Sequence, residues 1–520
     1  MANTRLFTSQ RGRLLPAATT RNEAGGIAYA RSPKAALALY AATGCLNGTY
    51  YADADEQLEM ALALCAEVEP AFVARTAVYA RKVAHMKDMP ALLLATLSLR
   101  DRDAFAAAFP QVIDNGRMLR NLVQILRSGR VGRKSLGSLP KRLVREWLQN
   151  ASVDQIVAGA IGNDPSLGDI VKMVHPRPAD AERQALYAWL IGKPFDAEAL
   201  PQKLRAYETF KRDIADGGSH AVPEMPFQYF TSLPLTQSHW KALATRASWQ
   251  QLRQNLNHFA RHGVFEDADV LRRAVAKLTD VAAIQAARVM PYQLLTAYQA
   301  THALPRAIGE ALQDAMEVAT RRVPKLEGDV VVAVDVSGSM GSPVTGYRKG
   351  ATTATRCVDV AALIAACVQR TNPLARVLPF DTAVRDLRLN PRDSVITQAQ
   401  QLAKLCGGGT SVSAPLAKLN AEGAKVDLLV LVSDNESWRD TRAGGATETM
   451  RQWERIKARC PQAKLVCIDL QPVATSQTVE REDVLHVGGF SDAVFDLLAN
   501  FAAEGIGARR WVDRIASLPL

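Results

Sequence analysis

Asp329-Val-Val-Val-Ala-Val-Asp335-Val-Ser337-Gly-Ser339 is an apolar run that ends in three hard-oxygen side chains at alternate positions. An unbroken apolar run rich in valine predicts a strand buried on both faces, as in a parallel sheet covered by helices. Two further pieces follow. Thr410 closes the loop Gly407-Gly-Gly-Thr410-Ser411, and Asp434 closes a second apolar strand, Asp427-Leu-Leu-Val-Leu-Val-Ser433. Ligands of open α/β sheets bind beyond the carboxyl ends of the strands, and every piece stands at such an end. Asp335, Ser337, Ser339, Thr410 and Asp434 therefore read as a divalent-cation site assembled from three loops. Hydroxyls and carboxylates suit a hard cation in octahedral oxygen coordination, such as Mg²⁺. Two carboxylates do not over-neutralise it, so the site is expected to accept an anionic ligand from outside.

The pattern around this motif divides the chain. After Pro324, strands are predicted at 329–334, 376–380, 427–433, 464–469 and 484–487, with helices at 353–370, 395–405, 413–420, 447–459 and 491–504. Such alternation predicts a doubly wound α/β domain over 324–520. Residues 1–323 read almost wholly helical. Segments from 35–47 to 291–299 carry apolar residues at three- and four-residue spacing, broken by turns such as Gly162-Asn-Asp-Pro165. Many short helices without a strict period suggest stacked helix pairs of the HEAT type. Residues 215–237, rich in proline and aromatics, are expected to be an irregular excursion.

Charge separates the halves as well. The 520-residue chain carries a net +11; residues 1–323 hold 40 basic against 30 acidic side chains, and the remainder 23 against 22. A basic module joined to a neutral one points to a polyanionic partner. No apolar run is long enough for a membrane span, and the first residues lack a secretory pattern. The seven cysteines form no Cys-x-x-Cys pair. Together these features favour the cytoplasm.

The basic excess concentrates between Asn115 and Arg145, where nine cations and no carboxylate occur: Arg117, Arg120, Arg127, Arg130, Arg133, Lys134, Lys141, Arg142 and Arg145. Guanidinium forks pair with phosphates, giving sequence-independent, salt-sensitive affinity. Neutralising Arg127, Arg130 and Arg133 together is expected to flatten the salt dependence. The bland alternative is a solvated helix face. Lys172, His175 and Arg177 form a weaker constellation, in which His175 either touches RNA or caps a helix before Pro176. Catalysis finds no support. There is no phosphate-binding Gly-x-x-x-x-Gly-Lys-[Ser/Thr] loop, no zinc spacing among the eight histidines, and no base beside Ser337 or Ser339 in sequence.

The Asp-x-Ser-x-Ser…Thr…Asp order resembles the metal-ion-dependent adhesion site of von Willebrand factor A domains. The first half resembles the TROVE module of Ro autoantigen-type RNA-binding proteins, bacterial relatives included. The stretches that carry this are Asn22-Glu-Ala-Gly25-Gly26, Gly48-Thr49-Tyr50-Tyr51, Asp169 to Arg177, Trp249 to Leu256 and Arg288 to Tyr298. Gly408-Gly-Thr410 and Ser433-Asp-Asn-Glu436 fit the same family. One departure is that Val153–Ile161 carries no basic residue. The resemblance implies a ring of HEAT-like helices clamped by the α/β domain. It implies binding of small structured Y-like RNAs outside the ring and of single-stranded 3′ ends of misfolded RNA in the hole. It also implies cooperation with a 3′-to-5′ exoribonuclease such as polynucleotide phosphorylase, in RNA quality control and without catalysis by the protein itself. Two rivals stay open: a metal-dependent protein-interaction scaffold, and a metal-dependent nuclease, which serine-rich coordination disfavours.

Overall fold

The structure is a computed structural model and describes residues 15–18, 20–347, 355–439, 445–491, 493–503 and 511–520. Among these, seventeen α-helices follow one another from Pro33–Thr43 to Arg306–Thr320. The breaks that the turn residues predicted are also starts. Asp53, Ser152, Ser166 and Ser248 each form a capping box, accepting from the backbone N–H three residues on while that residue's side chain binds back, which satisfies otherwise orphaned donors. Through much of the array each helix packs on its next-but-one neighbour, the arrangement of stacked helical repeats.

Four helices carry no expectation from the sequence: Leu167–Val174, Gln202–Ala215, Gln237–Arg246 and Arg306–Thr320. Gln202–Ala215 buries Leu204, Tyr207, Phe210 and Ile214 at 3-3-4 spacing between charged residues, so its apolar stripe is narrow. Gln237–Arg246 buries His239 beside Trp240 and Leu243, and a histidine on the inner face weakens the signal. The expected irregular excursion does run between Gln202–Ala215 and Gln237–Arg246, with one 3₁₀ turn at Phe227–Tyr229.

The second half forms a parallel five-stranded sheet. Its strands are β3 (Val330–Asp335), β4 (Arg376–Phe380), β5 (Leu428–Ser433), β6 (Lys464–Asp469) and β8 (Val484–Gly488), in the order β4-β3-β5-β6-β8. Helices Cys357–Thr371, Val395–Ala403, Ala414–Ala421, Glu448–Arg459 and Ala493–Ala503 accompany the strands. The first expected residues of the Cys357 helix, 353 and 354, lie outside the described residues. Strand side chains alternate between two cores. Val332, Val334, Val430 and Val432 join a core continuous with the helical half, whereas Val331, Ala333, Leu429 and Leu431 join one with Leu416, Trp453 and Ile456. The chain moves from β3 outward to β4 and then back across to β5. The topological switch point, where such sheets bind ligands, therefore lies between the ends of β3 and β5.

Each half lends an element to the other. A hairpin of β1 (Thr20–Arg21) and β2 (Ile27–Ala30) pairs with β7 (Thr475–Ser476), and Tyr29 enters the second core. The helix Trp511–Ala516 packs on Pro70–Lys82, with Trp511 edge-on to Tyr79. The first helix, Pro33–Thr43, rests on β8. The last, Arg306–Thr320, is held by Glu317 pairing with Arg370 (2.9 Å) and Gln313 accepting from Ser394 Oγ (2.8 Å). The helical array thus begins and ends on the same domain.

Candidate metal and nucleic-acid sites

The five residues expected to hold a cation are brought to the switch point by three loops that bond to one another. Gly338 N–H donates to the Gly408 carbonyl (3.0 Å) and Gly407 N–H to that of Val336 (2.7 Å), joining the first loop to the second. The Thr410 carbonyl accepts from Trp438 and Arg439 N–H (3.3 Å each), joining the second to the third. Gly408 takes φ +82°, and a side chain there would strike the Asp381 carboxylate, so glycine is required. Asp335, Ser337, Ser339, Thr410 and Asp434 are all buried.

Their hydrogen bonds fix the ligand orientation. Asp335 Oδ1 accepts from Ser337 N–H (2.8 Å), and Oδ2 from Ser433 Oγ (2.6 Å), whose oxygen in turn accepts from Asn435 N–H (2.8 Å). Ser337 Oγ and Ser339 Oγ lie 3.3 Å apart. Adjacent vertices of a Mg²⁺ octahedron with ~2.1 Å bonds are about 3 Å apart, so the two hydroxyls suit neighbouring positions. Burial, and then the Asp434 charge, raises the Asp335 carboxyl; burial raises Asp434 likewise. Two buried carboxylates that destabilise each other's ionised forms fit a cation between them. Asp381, nearby, is otherwise engaged: burial would raise it, but Arg385 grips it and holds it low.

Sequence reasoning left Ser433, Glu436, Glu23 and Tyr51 without a role. Tyr51 lies beside Ser339, whose hydroxyl opposes the upward shift that burial gives the phenol. Asn22 Nδ2 donates to the Ser437 carbonyl (2.7 Å), and Ala24 N–H to Glu436 Oε2 (3.0 Å). Gly26 packs so closely that a Cβ would collide with the Ser437 carbonyl. The opening stretches Asn22–Gly26 and Gly48–Tyr51 are therefore cover for the third metal loop and Ser339. That both hold glycine and polar residues in tight turns was the available signal.

The basic segment divides into structural and available cations. Arg120 donates to the carbonyls of Pro165 (2.9 Å), Asn163 (3.2 Å) and Ile161, Arg133 to those of Leu136 (2.5 Å) and Ser98 (3.0 Å), and Arg145 to that of Val174 (2.9 Å). These forks are spent on holding loops. Arg130 pairs with Asp55 (2.7 Å) and Arg142 with Glu146 (3.6 Å). Arg117, Arg127, Lys134, Lys141 and Lys172 make no ion pair with a described residue; all but the half-buried Lys141 are exposed. His175 is an exposed left-handed C-cap (φ 49°) whose N–H donates to Val171. Replacing Arg120 with alanine should cost about 1–3 kcal/mol of stability through unsatisfied carbonyls and leave the salt slope of RNA binding unchanged. Chemical denaturation and salt-titrated binding check the two halves of that expectation.

A second group of cations was not anticipated. Where the two ends of the helical array approach each other beside the α/β domain, a cavity of ≈ 760 Å³ is lined by Arg81, Lys87, Arg288, Tyr292, Arg322 and Phe490 among others. Arg81 is tied to Asp114 (2.8 Å). Burial, then Arg117 and Arg81, holds the Lys87 amine below its ordinary value. Cations that disfavour each other's charge gain from an anion. Arg117 places the end of the basic segment beside this cavity. The signal was missed because the cations come singly from turns far apart in sequence.

A buried-strand α/β domain with this loop constellation, fused to stacked helices, has clear relatives. Residues 329–502 match the family described as the Ro60 vWA domain. The chain is 27% identical over 526 residues to the RNA-binding protein RO60 of Deinococcus radiodurans, spanning 93% of this chain and 95% of the relative. The crystal structure of the Deinococcus radiodurans RO (RSR) protein superposes with a TM-score of 0.59 at 21% identity, covering 91% of this chain and 99% of that one. The chain thus shares the fold of that structure: a helical-repeat region followed by a parallel-sheet α/β domain that matches the vWA model.

Proposed function

We propose that the protein is a non-catalytic RNA-binding protein. It takes single-stranded 3′ ends of misfolded RNA into the cavity and small structured Y-like RNA on the outer basic face. The observation that carries this is the cation group Lys87, Arg117, Arg288 and Arg322 about a cavity bounded by both ends of the helical array. The name of the Deinococcus relative supports RNA as the polyanion. Phosphate contacts from forks and amines give affinity without sequence preference. Hand-over of the bound 3′ end to an exoribonuclease, such as polynucleotide phosphorylase, in RNA quality control completes the reading. The exposed Arg127, Lys134 and Lys172 belong to the outer face.

A narrow basic passage admits one strand and excludes a duplex. A hairpin with a free 3′ tail should therefore bind more tightly than the same hairpin with a blunt end, and a saturating structured RNA on the outer face should compete with the tail. Gel shifts of the two hairpins measure this; equal affinity would remove the threading part and leave an RNA-coating surface. In the same reading the site of Asp335, Ser337, Ser339, Thr410 and Asp434 holds Mg²⁺, with hydroxyls and carboxylates as ligands and water completing the shell. The cation neutralises buried carboxylates and fixes three loops; it has no assigned part in bond cleavage.

A further inference from the structure

We propose that Glu436 is an outer ligand of the cation held by Asp335, Ser337, Ser339, Thr410 and Asp434, and that through Ala24 it latches the first hairpin of the helical half onto the metal site. The proposal rests on the divalent-cation reading of that site.

Glu436 is fully buried. Its Oε2 accepts from Ala24 N–H (3.0 Å), Glu23 N–H stands close to the carboxylate, and Oε1 accepts no hydrogen bond of good geometry. A buried carboxylate oxygen without a partner is costly. No ion pair among the described residues includes Glu436. A cation held by the neighbouring loops would supply the missing partner. Asn435, at φ 68°, reverses the chain directly after Asp434 and keeps Glu436 beside that ligand, its N–H donating to Asp434 Oδ1 (3.3 Å). Asn435 is fixed there by Ser433 Oγ on its N–H (2.8 Å) and by Gln477 N–H on its Oδ1 (3.2 Å).

The contact is through water. Among the described residues no three His, Cys, Asp or Glu side chains converge at direct-ligand spacing, and Mg²⁺ commonly retains several of its waters. A water on the cation would donate to Oε1, as outer-shell partners do around other metals. Asp434 and Glu23 lie close enough to repel the Glu436 carboxylate, and a divalent cation relieves this accumulation. With Glu436 counted, the local carboxylate charge exceeds that of the cation, which disfavours an acidic ligand from another protein. The site then acts as a cross-link between the halves of one chain, and Tyr51 on Ser339 belongs to the same closure.

The test uses the full chain and Mn²⁺, followed by electron paramagnetic resonance, in wild type, Glu436→Gln and Asp335→Ala. Glutamine keeps the acceptor for Ala24 N–H and the volume. Wild type should bind, Asp335→Ala should not, and Glu436→Gln should bind about 10–100-fold more weakly, the usual effect of an outer-shell partner. Equal affinity of Glu436→Gln and wild type overturns the proposal while leaving the five-residue site intact. No binding by wild type overturns the cation reading and the proposal with it. Hydrogen exchange on the wild-type chain tests the latch even if the variant does not fold. Residues 20–30 should exchange several-fold more slowly in Mg²⁺ than in chelator, and identical exchange overturns the latch.

Discussion

The triple variant Lys87→Ala, Arg117→Ala, Arg288→Ala should bind a single-stranded RNA tail about 50-fold more weakly than wild type at about 0.15 M salt. Each single-strand phosphate contact contributes a slope of about 0.7 in log affinity against log salt, or about fourfold between 1 M and 0.15 M; three contacts multiply to about 50-fold, and the slope falls by about 2. None of the three side chains takes part in an ion pair with a described residue; Arg117 and Arg288 are exposed, and Lys87 keeps exposed surface although its amine is partly shielded in the cavity. Stability should therefore change by no more than about 0.5 kcal/mol. Filter binding at several salt concentrations measures both affinity and slope. An unchanged slope would remove the cavity from the RNA path. The originally indicated trio, Arg127, Arg130 and Arg133, is a poorer probe. Arg133 holds the Leu136 and Ser98 carbonyls and Arg130 pairs with Asp55, so loss of binding there would mix folding with contact.

That contrast marks what the sequence could disclose. The five parallel strands were legible almost to the residue because buried parallel strands are continuous apolar runs, and β4 and β6 span 376–380 and 464–469 as expected, whereas the short antiparallel β1, β2 and β7 carried no such signal. The convergence of the five candidate cation ligands was legible because each follows such a strand or closes a glycine loop. Helices with mixed inner faces, such as Gln202–Ala215, were not, since three- and four-residue spacing is lost among charges. Cation function was legible only as composition. Whether an arginine faces solvent or a loop carbonyl depends on the packing of a segment far away, as Arg120 with Asn163 and Pro165 shows. The roles of Glu436 and Tyr51 were hidden for the same reason: their partners come from the other half of the chain. Asn22 and Ser437 are 415 residues apart, and no local pattern carries such a pairing.

The metal site yields the other large effect, a reversal of stability order with Mg²⁺. In wild type, Asp335 and Asp434 are buried carboxylates, and each is raised by its surroundings. Without a cation, Asp335→Asn removes one of the two charges. Its amide can still accept from Ser337 N–H and donate to the Ser433 oxygen, so that only the Ser433 hydroxyl hydrogen must find a new acceptor, a smaller cost than a buried charge. In chelator the variant should therefore be at least as stable as wild type. Mg²⁺ then acts only on the protein that binds it. At a hundredfold excess over the dissociation constant, wild type gains about 2.7 kcal/mol by mass action, whereas Asp335→Asn gains nothing. The two stabilities cross between chelator and Mg²⁺, a result that a structural role for Asp335 alone cannot give. Asp335→Ala should lose the metal as well and free the hairpin of residues 20–30 while the helices Pro33–Thr320 stay folded, because those helices share a core that does not include the metal loops' polar side chains. Thermal melts in chelator and in Mg²⁺, with calorimetric titration of Mg²⁺ into each protein, decide the matter. A wild type that melts identically in both, or an Asp335→Ala that binds Mg²⁺ as wild type does, would show that these loops are held by hydrogen bonds alone.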